Sequence, residues 1–245
     1  MIKIPKNKKF RHLPDYMQEH LSFLPPEEIK TYILFYCLLF IDLCFLPSLY
    51  PVHLLVYSVT LPLLFFVHLW LIRLLIKNPF TTQMESTLFF AVSSFIGVIC
   101  YLVMTIKVTA ISMEVTSFWF YSILLLFHII TITKLIHYQV NKYSKIDYNL
   151  IEEEKWYNSS RLLPILVAGP ALGYIIVQVF NDNQQGLNIM LFFLSTSMTI
   201  ILSYFSSKYI HKYFFMKKNI DFVSPSKPTE KKKRKEYEKK GVVYK

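Results

Sequence analysis

The feature that most constrains this chain is a series of six long apolar runs. A helix needs about 20 predominantly apolar residues to cross the hydrocarbon core of a bilayer. Hydrophobic residues make up 53% of the 245 positions, and they fall in blocks rather than being spread along the chain. The pattern predicts an all-α, polytopic membrane bundle of about six transmembrane helices, and it excludes a soluble domain, a disordered chain and a disulfide scaffold. The predicted spans are about 26–47, 52–72, 87–106, 117–136, 162–180 and 188–207.

The first run reaches spanning length only if its helix begins at Pro26. Proline suits the first helical position, and the acidic Glu27 and Glu28 suit the first turn. Only residues 47–51, with a proline at each end, separate this run from the second. We therefore expect the first two spans to form a tight helical hairpin.

Basic residues predict the orientation of the bundle. They lie in the segment before the first span, in or beside the loops that follow spans two and four, and in the tail; Lys107 is the exception. Short segments rich in Lys and Arg remain in the cytoplasm. The pattern predicts a multi-pass protein of the cell (inner) membrane with both termini in the cytoplasm. The net charge of +11 is interpreted as part of this topology, and no nucleic-acid partner is expected.

The two cytoplasmic ends differ in character. Residues 1–25 form an arm with a one-sided helical stripe, which predicts a short amphipathic interfacial helix. That helix could instead pack on the cytoplasmic ends of the bundle, 26–214. The tail, 215–245, is expected to be disordered and polybasic, and either solvated or in contact with anionic lipid. The stripe comprises Leu13, Tyr16, Met17, His20, Leu21 and Leu24, and the lipid contacts comprise Lys231, Lys232, Lys233, Arg234 and Lys235.

Three ionisable residues in the spans form a candidate intramembrane polar site. Such residues are costly in a bilayer and are functional candidates by default. Asp42 in span one and His128 in span four lie at similar depths and could meet, and His68 in span two lies nearer the cytoplasmic boundary. A pair of this kind could relay protons, hold a cation or simply satisfy two polar groups.

Small residues and prolines in the last two spans predict close helix packing or a kink. In span five they could also mark a broken helix that lines a substrate site. The small polar residues of span six are expected to pack against span five, or to line a polar groove if the two helices separate. These positions are Pro164, Gly169, Pro170, Gly173, Ser195, Thr199 and Ser203.

The sequence offers no recognisable catalytic or cofactor motif. Cys37, Cys44 and Cys100 all lie in apolar runs, without the spacing of a metal site. There is no Walker A loop and no dinucleotide-binding turn, so we expect no metal and no cofactor.

Three functions remain open. The first is a non-enzymatic accessory or interaction subunit of a membrane complex, or a toxin-immunity-type protector, which the five glycines and short external loops favour. The second is a small transporter or channel subunit that uses Asp42 and His128, and the third is a membrane-embedded enzyme. The expected partners are the bilayer itself and a membrane protein or a second copy of the chain.

Overall fold

The computed structural model describes residues 3–4, 10–43, 45, 52–144 and 184–223. Within these residues the chain is helical and contains no strand. Two π-helical segments, Cys37–Leu43 and Val108–Ser112, continue α2 and α4. The α-helices are α1 (Asp15–Leu21), α2 (Ile29–Tyr36), α3 (Leu54–Ile76), α4 (Gln83–Lys107), α5 (Phe118–Lys142) and α6 (Gln184–Lys218), with short 3₁₀ turns at Phe10–His12 and Ile220–Phe222.

Four of these helices are long and apolar enough to cross a membrane. They are α3, α4 with its π-helical continuation, α5 and α6. The segment formed by α2 and its continuation, 29–43, is shorter. The fifth predicted span, 162–180, lies outside the described residues.

The bundle is organised around α4. This helix packs along α6 and also contacts α2 and α3, whereas α5 packs on α6. The resulting core includes Ile33, Val67, Phe89 and Leu202, which are almost completely buried. The outward faces of α3 and α5 expose many large apolar side chains, as expected for helices that face lipid or another membrane protein.

A second, smaller core closes one end of the bundle. The apolar side of α1 packs there against the C-terminal ends of α5 and α6, and Met17 and Leu21 are 0% exposed. The arm therefore packs on the bundle, the second of the two arrangements that the sequence left open. Asn219, just beyond α6, accepts a hydrogen bond at 2.8 Å from the backbone amide of Ile4.

The same end also holds the start of α2 and the turn between α3 and α4. Lys30 donates to the backbone carbonyl of Leu75 at 2.6 Å, and Arg73 pairs with Glu85 at 3.2 Å. We refer to this as the basic end of the bundle, because the predicted cytoplasmic segments that the structure describes meet there.

Helix α6 continues past the predicted start of the tail at residue 215. Phe215 and Met216 are fully buried against the arm, and Val223 belongs to the same small core. Apolar burial against α1 therefore orders residues 215–223, which sequence composition assigned to the disordered tail.

Candidate functional site

Asp42 is hydrogen-bonded to a histidine on the neighbouring helix. It lies in the π-helical segment that continues α2, and His68 lies on α3. Asp42 Oδ1 is 3.0 Å from His68 Nε2. π-Helical turns are rare and frequently occur at functional sites. Two of the three predicted intramembrane polar residues therefore meet at an unusual backbone segment.

The hydrogen bonds of His68 determine how many protons the pair holds. Its Nδ1 lies 2.8 Å from the backbone carbonyl oxygen of Leu64. A carbonyl oxygen only accepts, so Nδ1 carries a proton and donates it. A second proton must then lie between Nε2 and the Asp42 carboxyl group for that bond to form. The pair is thus neutral overall, either as imidazolium with carboxylate or as imidazole with carboxylic acid.

The pair lies near the middle of the bundle. His68 is about 12 Å before the C-terminal end of α3, and Asp42 is about 20 Å from the start of α2, at 1.5 Å per residue. The side chains are 36% exposed for His68 and 31% for Asp42. Isolated charges are costly at this depth, so each side chain stabilises the other through this hydrogen bond.

His128 lies apart from this pair. Helix α5 packs on α6, and His128 is buried beside the ring of Phe127. Its Nε2 has no hydrogen-bond partner among the described residues. The structure thus brings His68, and not His128, to Asp42.

The predicted packing residues of span six lie along α4. Ser195 accepts a hydrogen bond from Thr105 at 2.9 Å, and Ser206 donates to the carbonyl of Ala91 at 3.2 Å. Between them, a Cβ atom on Gly97 would lie 2.7 Å from Leu202 Cδ1. These three contacts define an antiparallel α4–α6 seam in which glycine permits a close helix approach.

The other two predicted packing residues of span six, Thr199 and Ser203, are also buried. Thr199 and Ser203 donate to backbone carbonyls one turn earlier on α6, as hydroxyl groups in apolar surroundings commonly do. The sequence predicted that this face of span six packs against span five, which is outside the described residues. Among the described helices, the neighbour is α4.

Several predicted positions are not described by the structure. These are the span-five residues Pro164, Gly169, Pro170 and Gly173, the basic residues Lys231, Lys232, Lys233, Arg234 and Lys235, and Cys44. The two described cysteines, Cys37 and Cys100, are buried free thiols. Within the described part of the chain, no three His, Cys, Asp or Glu residues are grouped as metal ligands.

The basic end contains a buried aromatic cluster that sequence analysis did not find. His20 Nε2 lies 3.0 Å from Nδ1 of His211 on α6. The His20 ring also stacks on Tyr143, with ring centroids 3.8 Å apart. The cluster therefore joins the arm, α5 and α6 through one buried imidazole.

Burial sets the protonation state of His20. Desolvation lowers the pKa of His20 from 6.5 to about 2, and His211 and the positive charges of Lys212, Lys208 and Lys142 add to this effect. His20 is consequently neutral at physiological pH. Its place within the apolar stripe of the arm was visible in the sequence, but its partner is 191 positions away and gives no local signal.

Comparison of the chain with protein-family models, with curated proteins and with solved structures gives no match.

Proposed function

We propose that this chain is a non-enzymatic accessory or interaction subunit of a membrane complex. Its bundle would serve as a fixed core that presents outward helix faces to a partner protein in the bilayer. A toxin-immunity-type protector is one form of such a subunit. The observation that most supports the proposal is the α4–α6 seam.

The seam has the features of a permanent contact. Gly97 lets α6 approach closely enough for Leu202 to fill the space beside it. Hydrogen bonds join the two helices on either side of this contact, between Thr105 and Ser195 and between Ser206 and Ala91. Separating the helices would break both of these hydrogen bonds and the packing of Leu202 on Gly97, which leaves Thr105 and Ser195 only their bonds to carbonyls of their own helices. A core of this kind favours a stable scaffold over a carrier that opens and closes.

The outward faces of α3 and α5 offer two surfaces for a partner. Phe65 and Leu69 are exposed on α3, and Ile123, Phe127 and Ile130 are exposed on α5. Lipid and protein can both cover such faces, because helix association in a membrane depends on packing rather than on hydrophobicity alone.

Photocrosslinking in native membranes tests the proposal. A photoreactive amino acid is placed at Phe65, Leu69, Ile123 or Ile130, one position at a time. We expect one face to give a protein adduct of a single defined mass. An adduct of twice the mass of the chain would identify the partner as a second copy.

Leu124 provides the matched control, because it lies on α5 beside Ile123 but is buried. A crosslinker there should give no adduct with another protein. Lipid adducts alone from both outward faces, in protein of normal abundance, would contradict the proposal.

We also propose six spans with both termini in the cytoplasm of a cell (inner) membrane, and contact of the basic tail with anionic lipid. The meeting of the arm, the α3–α4 turn and the C-terminal ends of α5 and α6 at one end supports the orientation, since basic segments remain in the cytoplasm. A cysteine at Arg11, in a background without other cysteines, should react with an impermeant thiol reagent only after lysis. Reaction in intact cells would contradict the orientation.

The Asp42–His68 pair supports a second candidate function, proton-linked transport. A shared proton in the middle of the bundle is what a proton-coupled site requires. Asp42→Asn removes the titratable carboxyl group but keeps a polar side chain of the same size. Proton uptake by proteoliposomes that is lost in Asp42→Asn, at equal protein incorporation, would favour transport. Equal uptake by wild type, variant and empty liposomes would remove this candidate.

A further inference from the structure

A polar cavity opens at the basic end of the bundle, between α1, α5 and α6. Its volume is about 550 Å³, and its walls include Lys142 on α5 and Lys208 and Lys212 on α6. Four tyrosines contribute phenol groups to the same walls, and Glu19 is the acidic residue among them. The cavity therefore carries an excess of two positive charges and several groups that can donate hydrogen bonds.

Lys212 illustrates the electrostatic state of this cavity. Its side chain is buried, with 8% exposure. Its ammonium group donates to the backbone carbonyl of Glu19 at 3.3 Å. An ammonium group has three donors, and a buried charge is normally stabilised by an opposite charge. The neighbouring Lys208 contributes a second positive charge, which the single Glu19 carboxylate only partly offsets, so an anion would relieve the repulsion.

Helix lengths place the cavity at the level of the lipid headgroups. Helix α6 is 35 residues long, which is about 52 Å at 1.5 Å per residue, whereas the hydrocarbon core is about 30 Å thick. With residues 188–207 in the core, Lys208 and Lys212 fall just beyond it on the basic end. Tyrosine is enriched at this depth; Tyr209 lines the cavity there, and Tyr204 lines it one turn deeper.

We propose that this cavity binds the phosphate group of an anionic ligand. Lys142, Lys208 and Lys212 supply the positive charge, and the phenol groups donate to the phosphate oxygens. The phosphate belongs either to an anionic phospholipid or to a soluble phosphate compound on the same side of the membrane. This site is distinct from the lysines of the tail and does not depend on the proposed function.

Two binding measurements on the full chain, purified in mild detergent, separate these sources. The first is the unfolding temperature in sodium phosphate against sodium chloride at equal ionic strength. The second is lipid binding by native mass spectrometry, with phosphatidylglycerol against phosphatidylcholine, whose choline cation balances its phosphate. Stabilisation by inorganic phosphate indicates a soluble ligand, and preference for phosphatidylglycerol indicates a lipid headgroup. Either result supports the proposal, and the absence of both overturns it.

Lysine variants locate the binding. Lys208→Gln should weaken the observed binding about five-fold, the effect typical of one lysine near an anionic headgroup. Lys142→Gln, on the other helix, should do the same and serves as the second variant if the first does not fold. Lys217→Gln is the control, since Lys217 is exposed on α6 outside the cavity. Binding that is unchanged in both cavity variants, or equally weakened in Lys217→Gln, would overturn the assignment.

Discussion

At the scale of single residues, the Asp42–His68 pair works as one unit. Each group is the hydrogen-bond partner of the other at this depth, through the 3.0 Å contact between the Asp42 carboxyl group and His68 Nε2. Replacing either side chain with an apolar one leaves the polar group of the other without its hydrogen bond. Removing both leaves an apolar helix contact.

His68→Leu should therefore destabilise the protein by about 2–3 kcal/mol, the cost of an acidic residue near the centre of a membrane helix. The double variant Asp42→Leu with His68→Leu should be more stable than His68→Leu alone. Unfolding temperatures in detergent, arranged as a double-mutant cycle, measure the coupling. Strictly additive losses would show that the two side chains do not depend on each other.

The lowered pKa of His20 predicts that docking of the arm depends on pH. Its pKa is about 2 in the folded state and 6.5 when exposed. The exposed form binds a proton as the pH falls below about 6.5, so docking is complete above that pH and weakens below it. The loss should reach about 2 kcal/mol at about pH 5. Hydrogen exchange of α1 at several pH values measures this effect.

His20→Gln should reduce the pH dependence, since glutamine can still bond to His211 but does not titrate in this range. A smaller pH dependence remains, because burial also lowers the pKa of His211, to about 4. His12→Gln is the control, because His12 is exposed in the same arm. Identical profiles for wild type and His20→Gln would contradict the account.

The hydrogen-bond partners of Asp42 and His20 were the hardest residue-level features to predict from the sequence. Depth along the spans identified Asp42 as a candidate, but it pointed to His128 as the partner and placed His68 nearer the cytoplasmic boundary. The tight link between spans one and two gives α3 an advantage, because consecutive helices joined by a short connection are usually neighbours. The His20–His211 contact had no comparable signal, since it depends on how the arm folds back.

At the scale of elements, the α4–α6 seam is the most extensive helix contact in the described core. The spacing of Ser195, Thr199 and Ser203 in the sequence indicated a packing face on the last span. The sequence predicted span five as the neighbour of that face, whereas among the described helices the face meets α4. The close approach also needs Gly97, which lies on a different helix and has no distinctive sequence context.

Gly97→Val should lower stability by about 1–3 kcal/mol through overpacking against Leu202. Adding Leu202→Ala should recover part of that loss, although Leu202→Ala alone creates a cavity and is itself destabilising. Unfolding temperatures of the two single variants and the double variant measure the coupling. Ser197→Val, at an exposed position of α6, should have little effect, and an equal loss there would argue against a specific contact.

At the scale of the whole molecule, hydropathy predicts most of the architecture that the structure describes. Four of the six apolar runs form helices that are long and apolar enough to span a membrane. Runs of Leu, Ile and Phe indicate which segments favour the bilayer, but they do not indicate where a helix ends. Helix α6 extends well past its predicted span because burial of Phe215 and Met216 against the arm continues it.

The proposed function requires that the bundle be a fixed core. Helices α3 and α5 pack on α4 and α6 respectively, so distances between them report any opening of the seam. Spin labels at Ile76 and Tyr138 report the basic end, and labels at Leu54 and Phe118 report the opposite end; all four side chains are exposed.

Double electron–electron resonance in lipid nanodiscs, above and below neutral pH, is the most direct measurement. A fixed core predicts one narrow distance distribution for each pair, unchanged by pH. Two populations, or distances that change in opposite directions at the two ends, would show that the seam opens and would replace the scaffold account with alternating access.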